Sequence, residues 1–157
     1  MLKVWICLFR GINVGGNNRL PMKDLTKAML AAGLTDVKTY IASGNVLFRS
    51  DLSAAALETL IGDLVETGFG FRPSIFLITL AHLEKVLAEN PFRDHEHKVK
   101  ALFVGGGKAS PTKVDRDLLD SLKSDSEAYE ITDELMYLYA PEGIGRSKMV
   151  EKVGRAI

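Results

Sequence analysis

The stretch FRGINVGGNNRLPM, residues 9–22, packs two arginines, three glycines and three asparagines between an apolar run and a proline. Glycines let a backbone approach a ligand closely, and amide and guanidinium groups can hold a phosphate or a carbonyl-rich molecule. Pro21 suits the first turn of a helix, whose N-terminus attracts negative charge. Arg10, Gly11, Asn13, Gly15, Gly16 and Asn17 are therefore candidate ligand contacts. The spacing matches neither G-x-G-x-x-G nor G-x-x-x-x-G-K-[ST], so neither a dinucleotide nor a nucleoside triphosphate is singled out. A structural account competes with the binding one: glycine and asparagine supply left-handed turn positions, and Arg10 pairs with a neighbouring acid.

A second cluster, Gly143-Ile144-Gly145-Arg146-Ser147-Lys148, sets two cations and a hydroxyl at a helix start. Acids are the usual choice there, so an anion would relieve the mismatch at Arg146, Ser147 and Lys148. The alternative is a glycine turn followed by solvent-facing cations. Asp94-His95-Glu96-His97, with His82 upstream, lacks a further ligand at a diagnostic spacing, so a polar loop is expected, and neither metal nor cofactor. No nucleophile elbow, H-E-x-x-H motif or Cys–His pairing occurs. An enzyme using Ser43, Ser147 or Lys148 on a phosphate-bearing ligand stays open, without an assigned reaction.

These residues need elements to position them. Lys3–Phe9 is an apolar, β-branched run that reads as a strand, and Met22, Leu25, Met29 and Ala32 follow at helical spacing until Gly33 stops them. Val37–Ile41 and Val46–Phe48 flank the turn cluster Ala42-Ser43-Gly44-Asn45, a hairpin. From about Ser53, Leu57, Leu60, Ile61 and Leu64 form one face of a helix ending near Gly68, and Arg72–Ile78 returns to strand character. The order β-α-β-β-α-β is the ferredoxin-like arrangement. A connector helix capped by Thr79 carries Leu83, Val86 and Leu87 and ends before Asn90-Pro91.

A comparable series follows: a strand over Val99–Val104, a loop at Gly105-Gly106-Gly107, and a helix with Val114, Leu118 and Leu122. Strands around Ala128–Ile131 and Leu135–Ala140 come next, then a helix opened by Gly143–Ser147 and bearing Val150, Val153 and Ile157. The expected fold is α+β, two ferredoxin-like βαββα(β) repeats, the second lacking its last strand. Residues 1–78 form the first repeat, 79–97 a connector and 98–157 the second, and together they are expected to make one compact unit. The missing strand leaves an edge that could serve self-association. In a β-α-β-β unit the first two strands run parallel, so Ser43, Gly44 and Asn45 join the Arg10–Arg19 loop at one sheet end. The Gly143–Lys148 block starts at the opposite end of its own repeat and joins only if the repeats pack to bring it there.

Composition limits the partners. The chain has 157 residues, 46% hydrophobic and 25% charged, and its twenty basic and twenty acidic residues cancel. No general field attracts nucleic acid or a membrane, so anion binding must be local. Tyr40, Phe48, Phe76, Tyr137 and Tyr139 alternate as strand residues do. Without the sequence signature of an RNA-recognition sheet they are expected to pack in cores, which makes nucleic acid a lesser alternative. The lone Cys7 lies in an apolar run, read as a buried thiol, and no segment reads as a leader or a membrane span, so a cytoplasmic location is expected.

The blocks Leu8-Phe9-Arg10-Gly11-Ile12-Asn13-Val14-Gly15-Gly16, Thr39-Tyr40-Ile41-Ala42-Ser43-Gly44-Asn45-Val46, Asn90-Pro91-Phe92 and Gly143–Lys148 resemble the signature blocks of a large bacterial family of unknown function, whose first block reads LLRGINVGG. The resemblance spans essentially the whole chain and implies a duplicated ferredoxin-like fold. It brings no activity. It does place family blocks on Arg10, Gly11, Asn13, Gly15, Gly16, Ser43, Gly44, Asn45, Arg146, Ser147 and Lys148. Members of that family continue into a further segment with an Asn-Trp-Asn-like motif, which this chain does not reach. The function expected is a cytoplasmic module that binds a small molecule or a phosphate-bearing anion, with no membrane partner.

Overall fold

A computed structural model describes residues 1–42, 44–95, 99–102, 114–133 and 135–156. Ser43, Glu96, His97, the far end of the strand expected over Val99–Val104 and the Gly105–Lys108 loop lie outside the described residues. The chain divides into two compact units, Met1–Lys85 and Val86–Ile157. It is a mixed α+β protein.

The first unit runs β1 (Lys3–Arg10), α1 (Met22–Ala31), β2 (Thr35–Tyr40), β3 (Asn45–Ser50), α2 (Ala54–Phe69) and β4 (Ser74–Thr79), and α3 (Leu80–Ala88) leads into the second unit. Its strands lie in the order β2-β3-β1-β4, every neighbouring pair antiparallel. Alternation explains the layering. Trp5, Cys7 and Phe9 of β1 and Val46 and Phe48 of β3 meet Leu25 and Met29 of α1 and Leu57, Ile61 and Val65 of α2 in one core. Each such side chain, fully buried, contributes roughly 1.5–3 kcal/mol. Burial pushes the Cys7 thiol far above its ordinary range, so it stays protonated and inert.

The helix ends follow local chemistry. Ser53 caps α2 by accepting from the Ala56 N–H, and Gly70, at φ +81°, ends it. Gly33, at φ +90°, stops α1, with the Leu34 N–H returning to the Met29 carbonyl. Pro21 stands one place earlier than expected, outside the first turn. Its ψ of 123° is extended, and its carbonyl accepts from the Asp24 and Leu25 N–H groups, so it is the residue that leads into the helix.

The second unit contains β5 (Val99–Leu102), α4 (Arg116–Leu122), β6 (Ala128–Ile131), β7 (Met136–Tyr139) and α5 (Lys148–Ala156). Its sheet runs β5-β7-β6, again antiparallel throughout, which repeats the relative placement of β1, β3 and β2. Met136 and Leu138 pack with Leu119 of α4 and Met149 and Val153 of α5. Leu135 and Tyr137 pack on the other side with Val86 of α3, and the Tyr137 hydroxyl donates to the Val86 carbonyl at 3.0 Å. Among the described residues no helix is long and apolar enough to cross a membrane.

Candidate functional site

β1 hands the chain at Arg10 to a loop that closes on itself before α1. The Asn13 N–H donates to the Asn18 carbonyl and the Asn17 N–H to the Val14 carbonyl, so residues 13–18 form a small hairpin. Gly15 and Gly16 are its tip, at φ +61° and +77°, the twist that a two-residue turn requires. Ile12 and Leu20, on either side, are buried in the core of the unit and anchor the loop. Asn18 donates its side-chain amide to the Gly11 carbonyl.

Asn13 is the clamp. Its Nδ2 donates to the Leu20 carbonyl and to the Ala42 carbonyl, both at 2.9 Å, while its Oδ1 accepts from the Leu20 N–H at 2.8 Å. One side chain therefore ties the loop, the approach to α1 and the β2–β3 turn together. The turn is drawn in further by the Phe9 N–H, which donates to the Gly44 carbonyl at 2.8 Å. Only glycine fits at 44: its φ is +94°, and a Cβ would stand 2.5 Å from Ile12 Cδ1 and 2.7 Å from Phe9 Cβ. Loop and turn are thus neighbours at one sheet end. Asn45 donates its amide to the Tyr40 carbonyl.

This geometry separates the candidates. Gly11, Gly15, Gly16, Gly44, Asn13 and Asn18 have structural duties. Arg10, Asn17 and Arg19 are exposed and have no side-chain hydrogen bond or ion pair among the described residues, so the neighbouring acid expected for Arg10 is not among them. Two residues not singled out earlier join them: Val14, 69% exposed at the hairpin, and Ile41, 60% exposed at the turn. Ile41 holds φ +53°, uncommon for a β-branched side chain. Tyr40, expected in a core, is 67% exposed. It closes the edge strand on the face opposite the helices, in a row with Asn45, Leu8 and Phe76. A hydrophobe inside a glycine–asparagine run was the available signal for Val14.

The local charge differs from the neutral whole. Residues 10–23 and 37–50 contain no acid, and Arg10, Arg19 and Lys38 stand at this end with Asp24 as the acid next to the loop. On the same sheet end, Arg72 lies just before β4 and binds Asp63 at 2.6 Å and Glu66 at 2.7 Å, so those carboxylates are already engaged. Their proximity raises the guanidinium pKa.

The second cluster resolves differently. Ile144–Arg146 form a short 3-10 turn rather than the opening of a helix, because Gly143 sits at φ +99° and the Arg146 and Ser147 N–H groups turn back to the Gly143 and Ile144 carbonyls. Ser147 is buried, and its hydroxyl accepts from the Val150 N–H at 3.1 Å, capping α5. Arg146 and Lys148 are exposed, with Glu142 and Glu151 close in sequence. His95, one of the histidines weighed as a ligand, packs on Tyr139 with ring centroids 4.5 Å apart, and Phe92 stacks on the same ring at 5.5 Å. Among the described residues no three metal-ligating side chains converge.

No curated protein matches the chain significantly. Among solved structures it is similar to a conserved bacterial protein, SP0830, from Streptococcus pneumoniae, with a TM-score of 0.73 at 26% identity over 96% of this chain and 85% of that one. The match to the family model of proteins of unknown function (DUF1697) runs over residues 2–137, and the chain belongs to that family.

Proposed function

We propose that the loop Arg10–Arg19 and the adjoining turn at Ala42–Asn45 bind an anionic, phosphate-bearing ligand. One observation carries this: a loop pinned by the two hydrogen bonds that the Asn13 side chain donates and the one it accepts still leaves both its arginines exposed and unpaired among the described residues. A rigid support that displays free guanidinium groups is the arrangement that anion recognition uses, because little ordering remains to be done on binding. The absence of acids from both segments adds to it. Arg10 and Arg19 supply the charge, the Gly15 and Gly16 backbone leaves room for close approach, and Asn13 and Gly44 position them.

Ser147 offers no comparable support for the enzyme alternative, since its hydroxyl is engaged as a helix cap. We further infer a duplicated ferredoxin-like architecture, from the shared strand placement of the two sheets, and a cytoplasmic setting, from the single inert thiol.

Thermal unfolding with inorganic phosphate, pyrophosphate and a panel of phosphorylated metabolites tests the site. A ligand at a hundred times its Kd should stabilise the native protein by about 2.7 kcal/mol. Arg10→Ala should abolish that gain, and a gain that survives in both Arg10→Ala and Arg19→Ala would place the ligand elsewhere.

A further inference from the structure

We propose that this end of the first unit is a peripheral docking surface for an anionic lipid bilayer, with Val14, Tyr40 and Ile41 entering the interface and Arg10, Arg19 and Lys38 holding lipid phosphates. The inference rests on the anion site proposed above and names its source of phosphate.

Four observations carry it. First, Val14 and Ile41 stand on two turns joined by the Asn13–Ala42 hydrogen bond and Tyr40 on the adjoining last residue of β2, all exposed by 60–69%, so they share one end of the sheet. A soluble phosphate compound would leave them in water. Second, the cations beside them have no acid within either segment, which complements an anionic surface. Third, Val14 flanks the Gly15–Gly16 tip and Ile41 takes φ +53°, so these two apolar groups belong to turns rather than to a core strand. Fourth, Tyr40 has the amphipathic ring that suits the headgroup level. Single-stranded nucleic acid is less well matched. The face opposite the helices carries Leu8, Asn45, Leu47 and a buried Ile6 on its two central strands, its aromatics Tyr40 and Phe76 stand apart on the two edge strands, and Trp5, Phe9 and Phe48 point to the core instead.

Zero net charge weighs against long-range attraction, and a membrane partner was not expected on that ground. Short-range docking does not require it, because surface potentials act within about a Debye length.

Co-sedimentation with vesicles tests the proposal on the full chain. Vesicles of phosphatidylglycerol and phosphatidylcholine should bind it, pure phosphatidylcholine should not, and added salt should release it. Arg10→Gln and Arg19→Gln should each weaken partition roughly five-fold. Val14→Ser with Ile41→Asn, the latter tolerant of the left-handed backbone, should weaken it about ten-fold, with the thermal midpoint checked for each variant. No vesicle binding, or binding indifferent to the Val14/Ile41 pair, overturns the proposal. Association with a short single-stranded oligonucleotide in place of vesicles also overturns it. If vesicles fail while pyrophosphate still stabilises the protein through Arg10, the anion site stands and the lipid inference alone falls. If neither ligand acts, both fall.

Discussion

Two clusters of this chain look alike on paper: Arg10–Arg19 in the first unit and Gly143–Lys148 in the second. Each combines glycines, cations and small polar side chains next to a helix. In the second unit, the polar side chain Ser147 is consumed as a cap, and the cations have acids nearby in sequence. In the first, Asn13 and Asn18 are also consumed, but Asn17 and the cations have no side-chain partner among the described residues, and the cations stand in acid-free segments beside exposed hydrophobes. Small polar residues thus made poor markers of function in both places. What distinguishes the clusters is the composition left over once the backbone has been satisfied.

That contrast can be broken or sharpened by paired substitutions. Gly44→Ala should cost the most, about 3–4 kcal/mol, because a clash with Ile12 and Phe9 adds to the left-handed strain. Gly143→Ala, with open space around its Cβ, should cost only the backbone strain of φ +99° and ψ 143°, about 2 kcal/mol. Urea unfolding of the two variants measures the difference, and equal losses would mean that the turn at 44 can yield. Next comes Asn13→Ala, expected at about 2 kcal/mol because it strands the buried Leu20 N–H, against about 1 kcal/mol for the capping change Ser147→Ala. Should Asn13→Ala cost no more than Ser147→Ala, the loop is not clamped as described.

The smallest effect is one of pH. Burial, then the charges of Glu89 and Glu130, raise the Tyr137 phenol above its usual value. A phenol whose folded pKa is raised contributes its full stability while both states are protonated and loses it as pH climbs past about 10, where the unfolded chain ionises first. Tyr137→Phe should therefore lower stability at neutral pH by about 1 kcal/mol, through loss of the bond to Val86, and narrow the gap to the native protein above pH 10. Thermal midpoints across pH 8–11 would show it.

The element order was legible from periodicity. Leu57, Leu60, Ile61 and Leu64 mark a helix by spacing alone, and the apolar run Lys3–Phe9 marks a strand. The neighbourhood of loop and turn followed from the direction of the first two strands. The division of labour inside the loop was not legible, since an asparagine that binds a ligand and one that binds its own backbone are the same letter. Asn13 became structural only once its amide was seen between Leu20 and Ala42. Tyr40 misled for a related reason: alternation says which face a strand residue takes, not whether anything covers that face at the edge of a sheet. Pro21 differed by one place because an extended ψ, invisible in composition, sets it outside the helix.

The placement of Trp5 decides how the molecule can be watched. The single tryptophan and the single cysteine lie two residues apart on β1, both in the core of the first unit, and the indole N–H has no hydrogen-bond partner among the described residues. Emission colour and thiol labelling therefore follow the opening of Met1–Lys85. Residues 86–157 hold no tryptophan and no thiol, only three of the four tyrosines. A melting curve taken through either handle is a recording with one microphone, and the second unit can leave the stage unheard.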